Sequence, residues 1–282
     1  MFAVNHELHR RWNRMDNLSA RYLKGHTDSV YCVQFDDHKV ITGSRDQSIR
    51  IWDLKTLECT KVLSANHPVA EGAKIPVPYH TLSILCLQFD KKLLITGSSD
   101  TTCIVWELPA YTPIARLSHH SAGVLDVAFD ADHIISCSKD TTICVWSRHT
   151  FKLLRHLIGH RGPVNAVAIR GDKVVSASGD AVVKLWDINT GECIREFKGH
   201  MRGLACVQFS EDARIVVSGG NDRDIKVWDT RTGECLRTLV GHKELVRTLH
   251  VDSKNRRIVS GSYDTVCPPP PLGFFWVELI AG

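Results

Sequence analysis

Six aspartates recur along the chain at Asp46, Asp100, Asp140, Asp180, Asp222 and Asp264. Each follows a histidine: His26, His80, His120, His160, His200 and His242. Four residues before each aspartate stands a hydroxyl, as in Ser176 before Asp180. Six residues after the first five stands a tryptophan, at Trp52, Trp106, Trp146, Trp186 and Trp228. A single Asp-His set has the makings of a general base and its orienting partner. One that recurs in every unit reads instead as framework. Inside a small sheet, a His–Ser/Thr–Asp–Trp chain is favourable only if every member finds its partner. The His119-His120 pair has the residue types of a metal ligand set. It stands where other units have Gly-His, so it reads as a variant turn and no metal is expected. No P-loop, HExxH or nucleophile elbow is present, so the sequence makes no case for an enzyme and implies no cofactor.

The elements that hold these residues follow from the spacing. Successive aspartates are 54, 40, 40, 42 and 42 residues apart. The longer first interval contains the loop "NHPVAEGAKIPVPYH". Each unit carries short β-branched and apolar runs, such as "SVYCVQF", "KVITGS" and "SIRIWD", separated by turn residues. A fourth run precedes each Gly-His, as in "CIREFKGH". Four strands per unit make a propeller blade, and this period with a Gly-His start and Trp-Asp finish is the WD40 signature. The expected fold is therefore an all-β WD40 β-propeller with six recognisable repeats.

Composition bounds the rest. The 282 residues include 35 basic and 31 acidic side chains, for a net charge of +4. That balance gives no general case for nucleic acid or membrane, so any electrostatic function must be local. The ten cysteines lie in apolar runs such as "TICVW" without a CxxC pair. They read as buried free thiols, which points to cytoplasm or nucleus.

Two repeat positions vary while the framework does not. Immediately before the repeat Asp stand Arg45, Ser99, Lys139, Gly179, Asn221 and Tyr263. Five residues after the repeat His stand Tyr31, Leu85, Leu125, Asn165, Ala205 and Arg247. The charged members are all basic, and Arg202 projects from a neighbouring turn. Converging guanidinium groups and hydroxyls suit a ligand with many acceptor oxygens, such as a phosphoryl group.

At these residues the chain resembles the beta-transducin repeat-containing proteins, F-box/WD40 substrate receptors of SCF ubiquitin ligases. The phrases that carry the resemblance include "VYCVQFDDHKVITGSRDQSIRIWDLKTLEC", "CSKDTTICVW", "GHMRGLACVQF" and "RIVSGSYD", across about residues 25 to 264. The resemblance implies binding of phosphorylated protein substrates through a doubly phosphorylated degron. Tyr31, Arg45, Ser83 and Ser99 would receive the first phosphate. Arg202, with Gly203 beside it, would clamp the second. Lys139, Arg247 and Tyr263 would hold an acidic residue and nearby backbone, and Leu125, Asn165, Ala205 and Leu245 would complete the contact surface. Asn221 departs from the family, which has Ser there. The other reading is a general WD40 protein–protein scaffold without phosphate dependence.

The family closes seven blades and carries an F-box upstream, the part that engages the Skp1 adaptor and cullin. Only 24 residues precede Gly25, so those partners are expected only of a longer form containing an F-box. Residues 1–19 read as a helical or linker remnant, 20–264 as the propeller and 265–282 as an aberrant proline-rich tail. "ARYLK" before Gly25 matches the outermost strand of the other units. The four prolines after "GSYDTVC" exclude the usual third strand at that place, although "FFWVEL" beyond them could add as a strand. An incomplete ring is the expectation, with a six-bladed closure as the alternative.

Overall fold

Alternating apolar residues between tight turns build one four-stranded antiparallel sheet after another. The computed structural model describes residues 21–65, 75–76, 78–254 and 257–264, and the backbone of 273–278. Blade 1 contains β1 (Val30–Phe35), β2 (Lys39–Ser44), β3 (Ile49–Asp53) and β4 (Cys59–Leu63). Blade 2 contains β5 (Ile84–Phe89), β6 (Leu93–Ser98), β7 (Thr102–Glu107) and β8 (Thr112–Ser118). Blade 3 contains β9 (Val124–Phe129), β10 (His133–Ser138), β11 (Ile143–Ser147) and β12 (Leu153–Leu157). Blade 4 contains β13 (Val164–Arg170), β14 (Lys173–Ser178), β15 (Val183–Asp187) and β16 (Cys193–Phe197). Blade 5 contains β17 (Leu204–Phe209), β18 (Ile215–Gly220), β19 (Ile225–Asp229) and β20 (Cys235–Leu239). Blade 6 contains β21 (Val246–Asp252), β22 (Arg257–Ser262) and β23 (Gly273–Glu278). Strands pair in chain order within each sheet, and the first strands of successive blades pack side by side as the innermost layer.

The hydroxyl chain expected from the sequence forms inside each of the first five blades. In blade 4, Trp186 Nε1 donates to Ser176 Oγ at 2.8 Å. His160 Nε2 lies 2.8 Å from the same oxygen, and His160 Nδ1 lies 2.8 Å from Asp180 Oδ2. An indole can only donate and a carboxylate only accepts. The hydroxyl hydrogen therefore points to Nε2, and Nδ1–H points to the carboxylate. The same chain runs through Thr42, Thr96, Ser136 and Ser218. The Asp also accepts the N–H following the histidine, at Thr27, Thr81, Ser121, Arg161, Met201 and Lys243. Burial alone would raise Asp180. The Arg161 N–H and His160 outweigh it and hold the carboxyl below its ordinary value. Burial lowers His120, His160 and His200, so each favours the neutral form this chain needs.

Between blades, apolar faces pack in five successive clusters, one per junction. Each junction is also stapled near the channel by a side chain that reaches the next innermost strand. Gln34 accepts from Phe89 N at 2.6 Å and donates to Phe89 O at 3.2 Å. Gln88 accepts from Phe129 N, Asp126 from Val167 N, and Gln208 from Val251 N. At the fourth junction Asn165 Nδ2 donates to Leu204 O at 2.6 Å. These bonds serve the channel-side edge of each sheet, whose backbone groups lack a strand partner. Asp126 is the ionisable staple. Burial raises its carboxyl to about 6, against the pull of the Val167 and Val127 N–H groups and the charge of Arg247.

Among the described residues the ring is not closed at the first blade. Val33 is 63% exposed and Phe35 71%, whereas their counterparts Val207 and Phe209 in blade 5 are 4% and 6% exposed. In blade 5 those side chains are covered by blade 4. Among the described residues no sheet packs on blade 1 in that way. At the other end, "FFWVEL" supplies a strand: β23 pairs antiparallel with β22. Its register sets Val277 opposite Ile258, the place where five blades set a tryptophan opposite β2, β6, β10, β14 or β18. The expectation for "ARYLK" is corrected in part. Residues 21–26 form no strand, and the sixth sheet has three strands among the described residues. Ala20 lies outside the described residues, as do residues 1–19 and most of 265–282.

Two predictions follow from these contacts. Ser176→Ala strands both Trp186 Nε1 and His160 Nε2 in a buried place and should cost about 2 kcal/mol. Ser260→Ala, in the blade without a tryptophan at the matching register, should cost less. Urea unfolding of the two variants, compared at equal m-value, measures the difference. The second concerns acid. A raised Asp126 contributes stability that is complete below its ordinary value of 3.8 and is lost as pH rises through about 6. The three lowered histidines act oppositely: their contribution is present above 6.5 and lost as pH falls. Asp126→Asn removes the opposing group. Its unfolding midpoint should therefore drop more steeply than the parent's between about pH 7 and about pH 5. An equal or shallower drop would contradict the assignment.

Candidate functional site

The variable positions meet at one end of the innermost strands because the same two backbone features recur in every blade. The first is a hydrogen bond joining the two turns. Arg45 N donates to Ser29 O at 2.9 Å, Ser99 N to Ser83 O at 3.0 Å, and Lys139 N to Gly123 O at 3.0 Å. Gly179 N pairs with Pro163 O, Asn221 N with Gly203 O, and Tyr263 N with Leu245 O. Each residue preceding the repeat Asp is thereby tied to the turn that follows the repeat His. Ser83, Gly203 and Leu245 enter the site as the acceptors of these bonds.

The second feature is a β-bulge at the start of every innermost strand. Val30 pairs with Ser44 and Cys32 with Gly43, so Tyr31 is the extra residue. The same shift isolates Leu85, Leu125, Asn165, Ala205 and Arg247. These are the residues five places after each repeat histidine. A bulge frees its extra residue from the ladder and re-aims the side chain, a device common at barrel rims and beside active sites. The sequence marks which residues vary at this place. It carries no sign of the bulge, which is a property of cross-strand register.

The rim so built is basic and partly aromatic. Tyr31 is 46% exposed and Tyr263 64%. Lys139, Arg202, Asn221 and Arg247 are exposed, and Ser99, Leu125, Ala205 and Leu245 are half-buried. The Arg45 side chain is exposed and reaches Asp28 only at 3.7 Å. That contact is weak in solvent and leaves most of the guanidinium available. Ser83 is half-buried. Asn165 differs from the rest, because its amide nitrogen is already used on Leu204 O.

Two features of the rim escaped the sequence. Gly220 stands where the other blades have Ser44, Ser98, Ser138, Ser178 and Ser262, each of which donates to a carbonyl of the neighbouring turn. A Cβ at Gly220 would stand 2.5 Å from Gly203 O, and one at Gly203 would stand 3.1 Å from Gly179 Cα. Backbone therefore closes on backbone below Arg202. The other is Asp126, an acid on an innermost strand within the electrostatic reach of Arg247. Its signal was the lone carboxylate inside "VLDVAF".

His120 belongs to the framework, held by Asp140 at 2.9 Å and Ser136 at 3.0 Å. This accounts for the second histidine of the His119-His120 pair. His119 is exposed and lies outside that chain of bonds.

Comparison with known proteins agrees with this geometry. The WD domain, G-beta repeat (WD40) matches residues 18–53, 76–107, 111–147, 151–187, 191–229 and 233–267, well over half of the chain. WD repeat-containing protein pop2 of Schizosaccharomyces pombe is 29% identical over 97 residues, 34% of this chain and 14% of that protein. Nuclear distribution protein nudF of Aspergillus niger is 35% identical over 105 residues, 36% of this chain and 21% of that protein. F-box and WD repeat domain-containing 11-A of Danio rerio is 60% identical over 37 residues, 13% of this chain and 7% of that protein. The matched stretches thus span less than a quarter of each relative. The computationally designed Ika8 protein superposes with a TM-score of 0.73 at 29% identity, covering 90% of this chain and 73% of that one. Six matched repeats, their blade-by-blade hydroxyl chains and this structural likeness establish that the chain belongs to the WD40 family.

Proposed function

We propose that this chain is a phosphopeptide-binding module that recognises doubly phosphorylated substrate segments for an SCF-type ubiquitin ligase. A WD40 propeller typically serves as a protein-interaction scaffold, so the question is which partner chemistry its rim fits. One observation carries the reading. Arg45 and Lys139 sit at the joining turns, Arg247 at a bulge and Arg202 in the turn after His200, while the hydroxyls of Tyr31, Ser99 and Tyr263 stand at the same turn and bulge positions. Guanidinium and phosphate form bidentate, charge-assisted hydrogen bonds, each contributing about 1.5–3 kcal/mol. Arg45 with Tyr31 and Ser99 suits one phosphoryl group. Arg202, above the closely packed Gly203 and Gly220 backbone, suits a second. The short stretch of high identity to an F-box and WD repeat protein supports the ligase context.

The similarity to nuclear distribution protein nudF keeps one other reading in play, a WD40 scaffold indifferent to phosphate. Fluorescence-anisotropy titration of doubly phosphorylated and unphosphorylated forms of one acidic, serine-containing peptide separates the two. The phosphorylated form should bind more tightly, and Arg45→Ala should weaken it by about tenfold or more. Equal affinity for both forms would sink the phosphate reading and leave the scaffold.

A further inference from the structure

We propose that blade 3 carries a zinc site formed by His119, Cys144 and His156. Their ligand atoms lie within 4.8 Å of one another. The His119 and His156 rings meet edge to face with centroids 4.6 Å apart. Cys144 on β11 stands directly across from His156 on β12.

The propeller itself brings these three positions together. In blade 4 the corresponding residues are Gly159, Lys184 and Glu196. Lys184 Nζ lies 2.5 Å from Glu196 Oε1, and a Cβ at Gly159 would stand 3.8 Å from the same nitrogen. In blade 1 a Cβ at Gly25 would stand 2.6 Å from Arg50 Nη1, and Arg50 pairs with Val62. Blade 5 has Gly199, Lys226 and Thr238, with Lys226 bonded to Thr238. Blade 2 has Tyr79, Ile104 and Arg116. Of these five blades, only blade 3 fills all three positions with metal-ligating side chains.

The set has the chemistry zinc takes. Imidazole nitrogens bind at about 2.0–2.1 Å and thiolate sulfur at about 2.3 Å in a tetrahedral arrangement. Those bond lengths put neighbouring ligand atoms roughly 3.3–3.8 Å apart. Closing from 4.8 Å asks only for small rotations of His119 and His156, both of which are exposed. Cys144 is fully buried and supplies the fixed ligand, while the two histidines open the path by which an ion enters. The thiol proton passes to solvent as the ion binds, and water completes the fourth position. Behind the sulfur, His120 Nδ1 stands 4.0 Å away and is itself held by Asp140. The framework thus supports the ligand side chain, as partners behind a metal site do.

Cobalt(II) reports such a site directly. Chelator-treated protein should take up one equivalent of Co²⁺, with a thiolate-to-cobalt absorption band and tetrahedral visible bands, and Zn²⁺ should displace it. His119→Gly restores the residue of blades 1, 4 and 5, and His156→Thr restores that of blade 5, so both should keep the fold as read by circular dichroism. Each should weaken Co²⁺ binding by about tenfold or more. His149→Ala, in the same blade but outside the cluster, should leave it unchanged. Absence of the thiolate band from the parent protein, or the same bands and affinity in His119→Gly and His156→Thr, would overturn the proposal. Neither readout involves a peptide, so the result is independent of the rim's ligand.

Discussion

Each of the first five blades depends on a single buried hydroxyl. Its oxygen receives the tryptophan N–H, and its hydrogen goes to the histidine, which in turn donates to the aspartate. No member has a choice of direction, because the indole has no acceptor and the carboxylate no donor. Four polar groups that would each be costly to bury alone therefore satisfy one another. The chain also spans the turn after the histidine, the second strand, the turn at the aspartate and the third strand. Fixing it fixes the two turns that frame the rim. The backbone bond from Arg45 N to Ser29 O, and its five equivalents, sit on top of that anchor.

Lateral cohesion comes from a different device. Innermost strands of a propeller present edge groups to the channel, and side chains from the preceding blade reach across to occupy them. Where the preceding blade is present, Val207 and Phe209 are covered. Where none packs among the described residues, Val33 and Phe35 stand open to solvent. The burial that stabilises a blade is thus supplied largely by its neighbour, as in repeat architectures generally.

The framework was legible in the sequence because it repeats: Asp180, Ser176, His160 and Trp186 announce themselves by recurring five times over. The rim residues were legible by the opposite sign, variation at fixed distances from His and Asp. What stayed hidden depends on register and approach between strands. Nothing in "VYCVQF" reveals that Tyr31 is bulged, since a bulge is defined by the partner strand. Gly220 reads as one more small residue until the 2.5 Å approach to Gly203 O gives it a reason. His156 lies 36 residues beyond His120 in an unremarkable outer strand, and only the pairing of β11 with β12 sets it against Cys144. The reading of "ARYLK" as an outermost strand is not met over residues 21–26. Its pattern suits a strand, but among the described residues it does not pair with β23, the last strand of the sixth sheet.

Rim and flank then illustrate one principle from two sides. The framework repeats the same strand pairing through the first five blades and leaves most rim side chains free of structural duty. At those positions the fold supplies convergence without dictating identity. On the rim, six bulged residues converge whether they are Tyr31, Ala205 or Arg247. On the flank, three residues converge whether they are Gly159, Lys184 and Glu196 or His119, Cys144 and His156. Convergence alone is therefore weak ground for assigning a function to any one blade, because the first five blades share it. The informative quantity is the departure of one blade's residues from the others at a place the fold has already brought together. By that measure the basic rim and the His–Cys–His flank are separate departures, and the proposals of an anionic peptide for one and a metal ion for the other stand apart. A change at Arg45, His119 or His156 can be made without touching the hydroxyl chain, whereas Cys144 stands 4.0 Å from His120 within it.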